Sequence, residues 1–160
     1  MKLQYLAATL AALWAGVMIG VGYICAPVIF KMMPEARLLA GDIAGQSFTI
    51  TAYITLAFGV AILLMVKKAN RDAGFYTPNL PMILVFAALF LAIVGQFVIH
   101  PQVAQARAYG VGTSSFATLH AISVSIYLLE TLCVLALNWV LYTPVKKPEG
   151  VESRSESIDG

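Results

Sequence analysis

One apolar stretch, residues 116–141, constrains the fold most, because it is long enough to span a bilayer and yet carries polar side chains. These are His120, Ser123, Tyr127 and Glu130. At 100° per residue all four lie within one sector about 80° wide, so the stretch predicts a membrane helix with a polar stripe. An ionisable group such as Glu130 costs a few kcal/mol or more at bilayer depth unless it faces inward, pairs or is neutralised. Other helices are therefore expected to pack against this one.

The composition excludes an ordinary water-soluble domain. Of the 160 residues, 60% are hydrophobic and 11% are charged, whereas about a quarter of the residues in soluble domains are charged. The net charge of +2 is too small to indicate a nucleic-acid partner. Neither a CxxC pair nor a glycine-rich phosphate loop occurs in the sequence. The chain is predicted to be an integral membrane protein whose surroundings are the lipid bilayer.

Four apolar runs predict four antiparallel membrane helices, at about residues 3–25, 47–66, 80–100 and 116–141. The expected fold class is therefore all-α, a polytopic membrane protein with a four-transmembrane-helix bundle over residues 1–143. Pro27 is expected to bend or end the first helix, and residues 31–46 to form an amphipathic extension of the second. Gly16 and Gly20 form a GxxxG pair, interpreted as a packing contact within the chain in preference to a dimer motif. Residues 144–160, rich in Lys, Glu, Ser and Pro, are predicted to be a disordered cytoplasmic tail.

The distribution of Lys and Arg predicts the orientation. Seven of the ten lie at the amino terminus, in the second loop and in the tail, and three lie in the first and third loops. By the positive-inside rule both termini are expected in the cytoplasm, in a multi-pass protein of the cell (inner) membrane. The two cysteines, Cys25 and Cys133, lie at different predicted depths, so no intramolecular disulfide is expected.

Matching the four spans by depth, at about 1.5 Å per residue, brings most polar side chains into one layer at the outer ends of the helices. Helix bundles build sites from side chains on facing helices, so a binding site is expected in this layer. His120 is expected to point into the bundle and to meet polar atoms of the other helices. The candidate residues are Tyr23, Gln46, Thr49, Gln96, His100, His120 and Ser123.

Glu130 is predicted to lie about 15 Å deeper than His120, slightly past the middle of the membrane. At that depth the third span is apolar, the second offers Thr55 at best, and the first offers Trp14. A buried indole N–H needs an acceptor, so Trp14 and Glu130 are predicted to face each other and to be hydrogen-bonded, directly or through one water. A proton or cation pathway through Glu130 and a neutral, hydrogen-bonded carboxyl are both compatible with this position.

Several short motifs occur in a characteristic order between about residues 10 and 140. They are Trp14, Ala15 and Gly16; Tyr23; residues 26–30; Ala40, Gly41, Ala44, Gly45 and Phe48; and residues 116–120 with Ser123. Together they resemble the transmembrane-protein-205-like family, catalogued as domain of unknown function 4149. The resemblance implies a four-helix membrane protein of unestablished biochemical function. More distantly the chain resembles four-helix copper-resistance and haem-associated membrane modules, whose cofactor-holding histidine would correspond to His120.

Two functional classes are open. The favoured class is a non-enzymatic membrane protein that binds or moves a small solute or metal, or supports a membrane complex with a second copy or another membrane protein. The alternative is a cofactor-dependent membrane redox enzyme that uses haem or copper. No cofactor is expected in the favoured class. Copper or zinc ligation by His100, His120 and Cys25, or haem ligation by the two histidines, competes with ordinary interhelical hydrogen bonding by the same residues.

Overall fold

Four long helices make up the structure, a computed structural model that describes residues 2–72, 79–109 and 113–143. No strand occurs in these residues, and all four helices are long and apolar enough to cross a membrane. This confirms the predicted all-α membrane fold. The helices are α1, comprising Lys2–Ile19, Gly20–Cys25 and Ala26–Met32; α2, Arg37–Asp72; α3, comprising Leu80–Ile93, Val94–Ile99 and His100–Tyr109; and α4, Thr113–Tyr142.

The helices close into a bundle in which each packs against two neighbours. α1 contacts α2 and α4, and α3 contacts the same two helices from the opposite side. α1 and α3 are therefore diagonal to each other, as are α2 and α4. The predicted amphipathic extension of the second span begins at Arg37 and is continuous with that span in α2. The predicted tail, residues 144–160, lies outside the described residues.

One half of the bundle is filled with apolar side chains, which we call the apolar core. Many large apolar side chains elsewhere, such as Leu64, Phe86 and Leu132, are exposed on the outside of the bundle, where a bilayer would cover them. The largest fully buried apolar side chains of the core are Trp14, Met18, Ile62, Val85, Val134 and Leu137.

Side-chain to backbone hydrogen bonds join α4 to α1 at the end of the bundle that holds the amino terminus. The Asn138 amide donates to the Ala8 carbonyl at 2.8 Å, and the Gln4 amide donates to the Leu141 carbonyl at 2.9 Å. Such bonds stabilise helix pairs in lipid. Apolar contact between two helices contributes little there, because it only replaces equally apolar contact with lipid. They hold α1 and α4 in antiparallel register.

α1 and α3 each contain a six-residue π-helical segment followed by a proline. The segment in α1 is Gly20–Cys25 and that in α3 is Val94–Ile99; Pro27 and Pro101 are the second residues after them. A proline inside a helix lacks an N–H, and its ring crowds the carbonyl four residues back. The wider π turn accommodates this mismatch, so both helices continue past their prolines. Of the two alternatives expected at Pro27, a bend or an end of the helix, the end is not observed, and α1 continues to Met32.

Gly22, in the first π segment, allows α4 to approach α1 closely. A Cβ atom at Gly22 would overlap the ring of Tyr127. The Tyr127 hydroxyl donates a hydrogen bond of 2.8 Å to the Met18 carbonyl, which holds the ring in this position. By contrast, a Cβ at Gly16 or Gly20 would meet no atom within 4 Å among the described residues. The GxxxG pair therefore makes no close helix contact within the described chain, contrary to the sequence-based interpretation.

Gly22→Ala is expected to destabilise the protein by about 1–3 kcal/mol, because the added methyl group displaces the Tyr127 ring and strains its hydrogen bond. The matched control is Gly16→Ala, in open space on the same helix. We expect it to leave stability unchanged or slightly raised, since alanine has the higher helix propensity. Unfolding by SDS in mixed micelles measures both variants. Equal stability of the two would contradict the close contact at Gly22.

Candidate functional site

A cavity of about 340 Å³ lies between the four helices, in the half of the bundle away from the apolar core. The two π segments line it through Gly22 and Tyr23 of α1 and through Gly95 and Gln96 of α3. Since α1 and α3 are diagonal, the π segments contribute to opposite walls. Small residues of α2 also line the cavity: Gly41, Ala44, Gly45 and Ala52. The cavity therefore depends on widened helical turns and on side chains too small to fill the space.

A chain of hydrogen bonds closes the inner end of the cavity. The indole Nε1 of Trp14 donates to Thr55 Oγ1 at 2.9 Å, and the Thr55 hydroxyl donates to Glu130 Oε1 at 3.2 Å. Trp14, Thr55 and Glu130 are 0%, 1% and 5% exposed. A hydroxyl can accept one hydrogen bond while it donates another, which lets Thr55 serve both neighbours. Among the described residues, the Trp14 indole bonds to Thr55 rather than directly to Glu130 as predicted, and Thr55 joins α1, α2 and α4.

Three aromatic rings from three helices line the same cavity as Glu130, and we call them the aromatic wall: Tyr23, Phe48 and Tyr127. The ring of Tyr127 packs edge-on against Phe48, with centroids 5.1 Å apart, and lies 6.0 Å from the ring of Tyr23. The Tyr23 hydroxyl donates to Thr131 Oγ1 at 3.4 Å, next to Glu130 in the chain. Tyr127 lies three residues before Glu130, on the same face of α4.

Polar side chains continue along the cavity towards its outer end. The Gln96 amide donates to Thr49 Oγ1 at 3.2 Å and so connects α3 to α2. Ser123 of α4 and the buried Thr51 of α2 also line the cavity, and the Thr51 hydroxyl donates to the Ser47 carbonyl at 2.9 Å.

The basic side chains that line the cavity lie towards its outer end. Arg107 forms an ion pair with Asp42 at 3.4 Å, and its guanidinium packs against Gly41, where a Cβ would lie 2.7 Å from it. His100 lies beside Gly45. His120 is exposed at the surface of α4, and its ring stacks on Phe116 with centroids 5.8 Å apart.

The structure brings five of the predicted polar-layer residues to this one cavity: Tyr23, Gln96, His100, His120 and Ser123. Thr49 does not line the cavity itself but is bonded to Gln96, which does. Gln46 is exposed and does not line the cavity. Within the described residues, His120 makes no hydrogen bond to the other helices, and its ring contact is with Phe116. Depth along the membrane is thus predicted better than the direction in which each side chain points.

The candidate metal ligands do not form a common site. Cys25 is exposed and does not line the cavity that His100 and His120 share. Over residues 2–72, 79–109 and 113–143, no group of three or more His, Cys, Asp or Glu side chains is close enough to hold a metal ion. Cys25 and Cys133 are both free thiols.

Arg107 and Thr51 line the cavity, although no candidate site predicted from the sequence contains them. Arg107 follows His100 by seven residues, or about two helical turns, a spacing that places both on one face of α3. Thr51 and Thr55 are four residues apart and share a face of α2 in the same way. Both residues can be identified from the sequence by helical periodicity, if the helix of His100 is continued past Pro101 and the spacing of the threonines in α2 is considered.

A family model described as "Domain of unknown function (DUF4149)" matches residues 9–112. The matched range includes α2 and α3 in full and α1 from residue 9 onwards, whereas α4, with Glu130, lies entirely beyond it. No curated protein and no solved structure matches the chain.

Thr55→Val is expected to lower the free energy of unfolding by about 1–2 kcal/mol, because it leaves the Trp14 indole without its acceptor and Glu130 without its donor. Thr9→Val is the control, since Thr9 is exposed and its hydroxyl bonds the Tyr5 carbonyl of its own helix. SDS titration of the purified proteins measures the difference. If both valine variants unfold at the same SDS fraction, the bridging role of Thr55 is wrong.

Proposed function

This chain belongs to the DUF4149 family, and we propose that it is a non-enzymatic membrane protein that binds a small solute in the cavity between its helices. The observation that carries the proposal is the cavity itself, which extends from the Arg107 to Asp42 ion pair to the buried carboxyl of Glu130. An unfilled space between helices lowers stability, so a cavity lined by polar groups from several helices supports a binding role.

The cavity has the form of a path that ends in the membrane. Gly41, beside Arg107, and Thr55, bonded to Glu130, are fourteen residues apart on α2, which at 1.5 Å per residue is about 21 Å. Past Glu130 the apolar core fills the bundle. A solute that enters at the outer end can therefore reach Glu130, and movement beyond that point requires the core to rearrange.

We also propose that both termini lie in the cytoplasm and that the cavity opens on the opposite side of the inner membrane. The seven-to-three bias of Lys and Arg supports this orientation. The outer end of the cavity lies near the first and third loops, which hold the smaller share of these cations. A finer assignment to the transmembrane-protein-205-like group is supported by residues 116–120 and Ser123, which follow the range matched by the family model.

The proposal predicts that Ser123→Cys, in a Cys25→Ser and Cys133→Ser background, reacts with a membrane-impermeant thiol reagent added outside intact cells. A thiol reacts as its thiolate, which forms in water and not in hydrocarbon. Ser125→Cys is the matched control, because Ser125 is exposed on α4 two residues away and does not line the cavity. It is expected to remain unlabelled.

Each other outcome of the labelling has a defined meaning. Labelling of Ser123→Cys only after the cells are permeabilised would reverse the proposed orientation and retain the water-filled cavity. If Ser123→Cys is as unreactive as Ser125→Cys on both sides of the membrane, the cavity is closed to water and the proposed function is wrong.

The alternative, a haem or copper redox enzyme, is favoured by one observation, that His100 and His120 line the same cavity. Under the proposed function the protein purified in detergent is expected to lack the visible absorption of haem and to contain no stoichiometric copper. A visible spectrum and a metal analysis of the same sample measure this. A haem band or bound copper that is lost in both His100→Ala and His120→Ala would support the redox enzyme instead.

A further inference from the structure

Glu130 is buried without a cationic partner in the part of the chain that the structure describes. Its carboxyl accepts a hydrogen bond from Thr55, and the residue is 5% exposed. The ion pair between Arg107 and Asp42 lies at the other end of the cavity, about 21 Å away along α2. Buried charges in membrane bundles are paired as a rule, because an isolated charge is costly in a low-dielectric surrounding. The carboxyl at the inner end of the cavity therefore has no counter-ion from the described residues and can itself serve as the counter-ion of a bound cation.

The aromatic wall lies beside this carboxyl. The hydroxyls of Tyr23 and Tyr127 are held by the protein, through Thr131 Oγ1 and the Met18 carbonyl, so the ring bodies, together with Phe48, form the cavity surface. The faces of aromatic rings attract organic cations, and the attraction is larger where water is excluded. A single carboxyl in a cavity lined by three aromatic rings is suited to a positively charged nitrogen that carries carbon substituents.

A metal cation fits the same residues poorly. Ca²⁺ takes about six to eight oxygen ligands, and Mg²⁺ needs nearly ideal octahedral coordination. The described residues supply one carboxyl at this end of the cavity and contain no group of three ligating side chains. An organic cation needs one counter-ion and a large apolar contact surface, both of which the site has.

We propose that the inner end of the cavity binds a small organic monocation, a protonated amine or a quaternary ammonium compound. Glu130 is its counter-ion, and the rings of Tyr23, Phe48 and Tyr127 contact its carbon substituents. This inference rests on the proposed function and adds the chemical class of the solute. A cavity of about 340 Å³ is within the range of pockets that hold small organic ligands.

Trp14 offers a direct readout of the site. The chain has two tryptophans, and Trp139 is 73% exposed on the outside of the bundle, so Trp139→Phe leaves Trp14 as the single indole at little cost. The Trp14 indole is bonded to Thr55, which donates to Glu130, so a ligand at the carboxyl is expected to change its fluorescence. The Trp139→Phe protein is titrated with choline and with 3,3-dimethylbutan-1-ol, in which carbon replaces the charged nitrogen. We expect saturable binding of choline, tighter than that of the uncharged alcohol by about tenfold or more.

Three further variants, each made in the Trp139→Phe background, test the roles of the residues. Glu130→Gln is expected to abolish the preference for choline, because the amide has nearly the same shape and no charge. Glu35→Gln makes the same chemical change at an exposed residue that does not line the cavity, and is expected to retain the preference. Phe48→Leu is expected to weaken choline binding several-fold and alcohol binding less, because it removes the ring and keeps an apolar side chain.

The outcomes separate this inference from the proposed function. Equal affinity for choline and the alcohol in the Trp139→Phe protein itself would overturn the cation assignment, whether or not Glu130→Gln folds, and would leave a site for uncharged solutes. If neither probe alters Trp14 fluorescence while Ser123→Cys still reacts from water, the cation assignment is wrong and the open cavity is retained. An unreactive Ser123→Cys overturns the proposed function itself.

Discussion

The hydrogen-bond chain from Trp14 through Thr55 to Glu130 is the interaction on which the rest of this bundle depends. It joins α1, α2 and α4 at a depth where lipid offers no partner for a polar group. Contact between apolar helices adds little in a bilayer, so bonds of this kind decide which helix faces meet. On one side of these hydrogen bonds the bundle is filled by the apolar core, and on the other side lies the cavity. The Glu130 carboxyl therefore lines the inner end of the cavity and also links helices through Thr55.

The hollow half is produced by departures from regular α-helical packing. Each of two diagonal helices widens into a π segment shortly before a proline, and the facing surface of α2 carries glycine and alanine. The same π segment that widens α1 also contains Gly22, against which the Tyr127 ring packs. Close contact and open space thus occur within a few residues of each other. π segments of this kind are frequent at functional sites, where a shifted helical register redirects side chains.

The sequence predicts the four membrane helices well, because the length and polarity of apolar runs depend on the bilayer alone. It also predicts which polar residues share a depth, since rise per residue is nearly constant. It does not predict the direction of each side chain. Gln46 is therefore placed in the site although it is exposed, and Thr55 is considered only as a minor candidate partner of Glu130, although its hydroxyl donates to that carboxyl. Lateral packing depends on contacts such as that of Gly22 with Tyr127, for which the sequence has no local signal. Pro27 suggests a helix end because the rule for proline assumes α-helical hydrogen bonding, which the π segment replaces.

The length of α2 determines where the cavity meets its surroundings. With 36 residues this helix is about 54 Å long, whereas the hydrocarbon core of a bilayer is about 30 Å thick. A tilt large enough to bury all of it would exceed the range usual for membrane helices, so the ends of α2 must reach into the headgroup layers. Asp42, near its first turn, is 73% exposed in its side chain, which is compatible with a position among water and lipid phosphates. Under the proposed function, a solute therefore enters the cavity at the level of the headgroups, where the local concentration of amphiphilic solutes is higher than in bulk water.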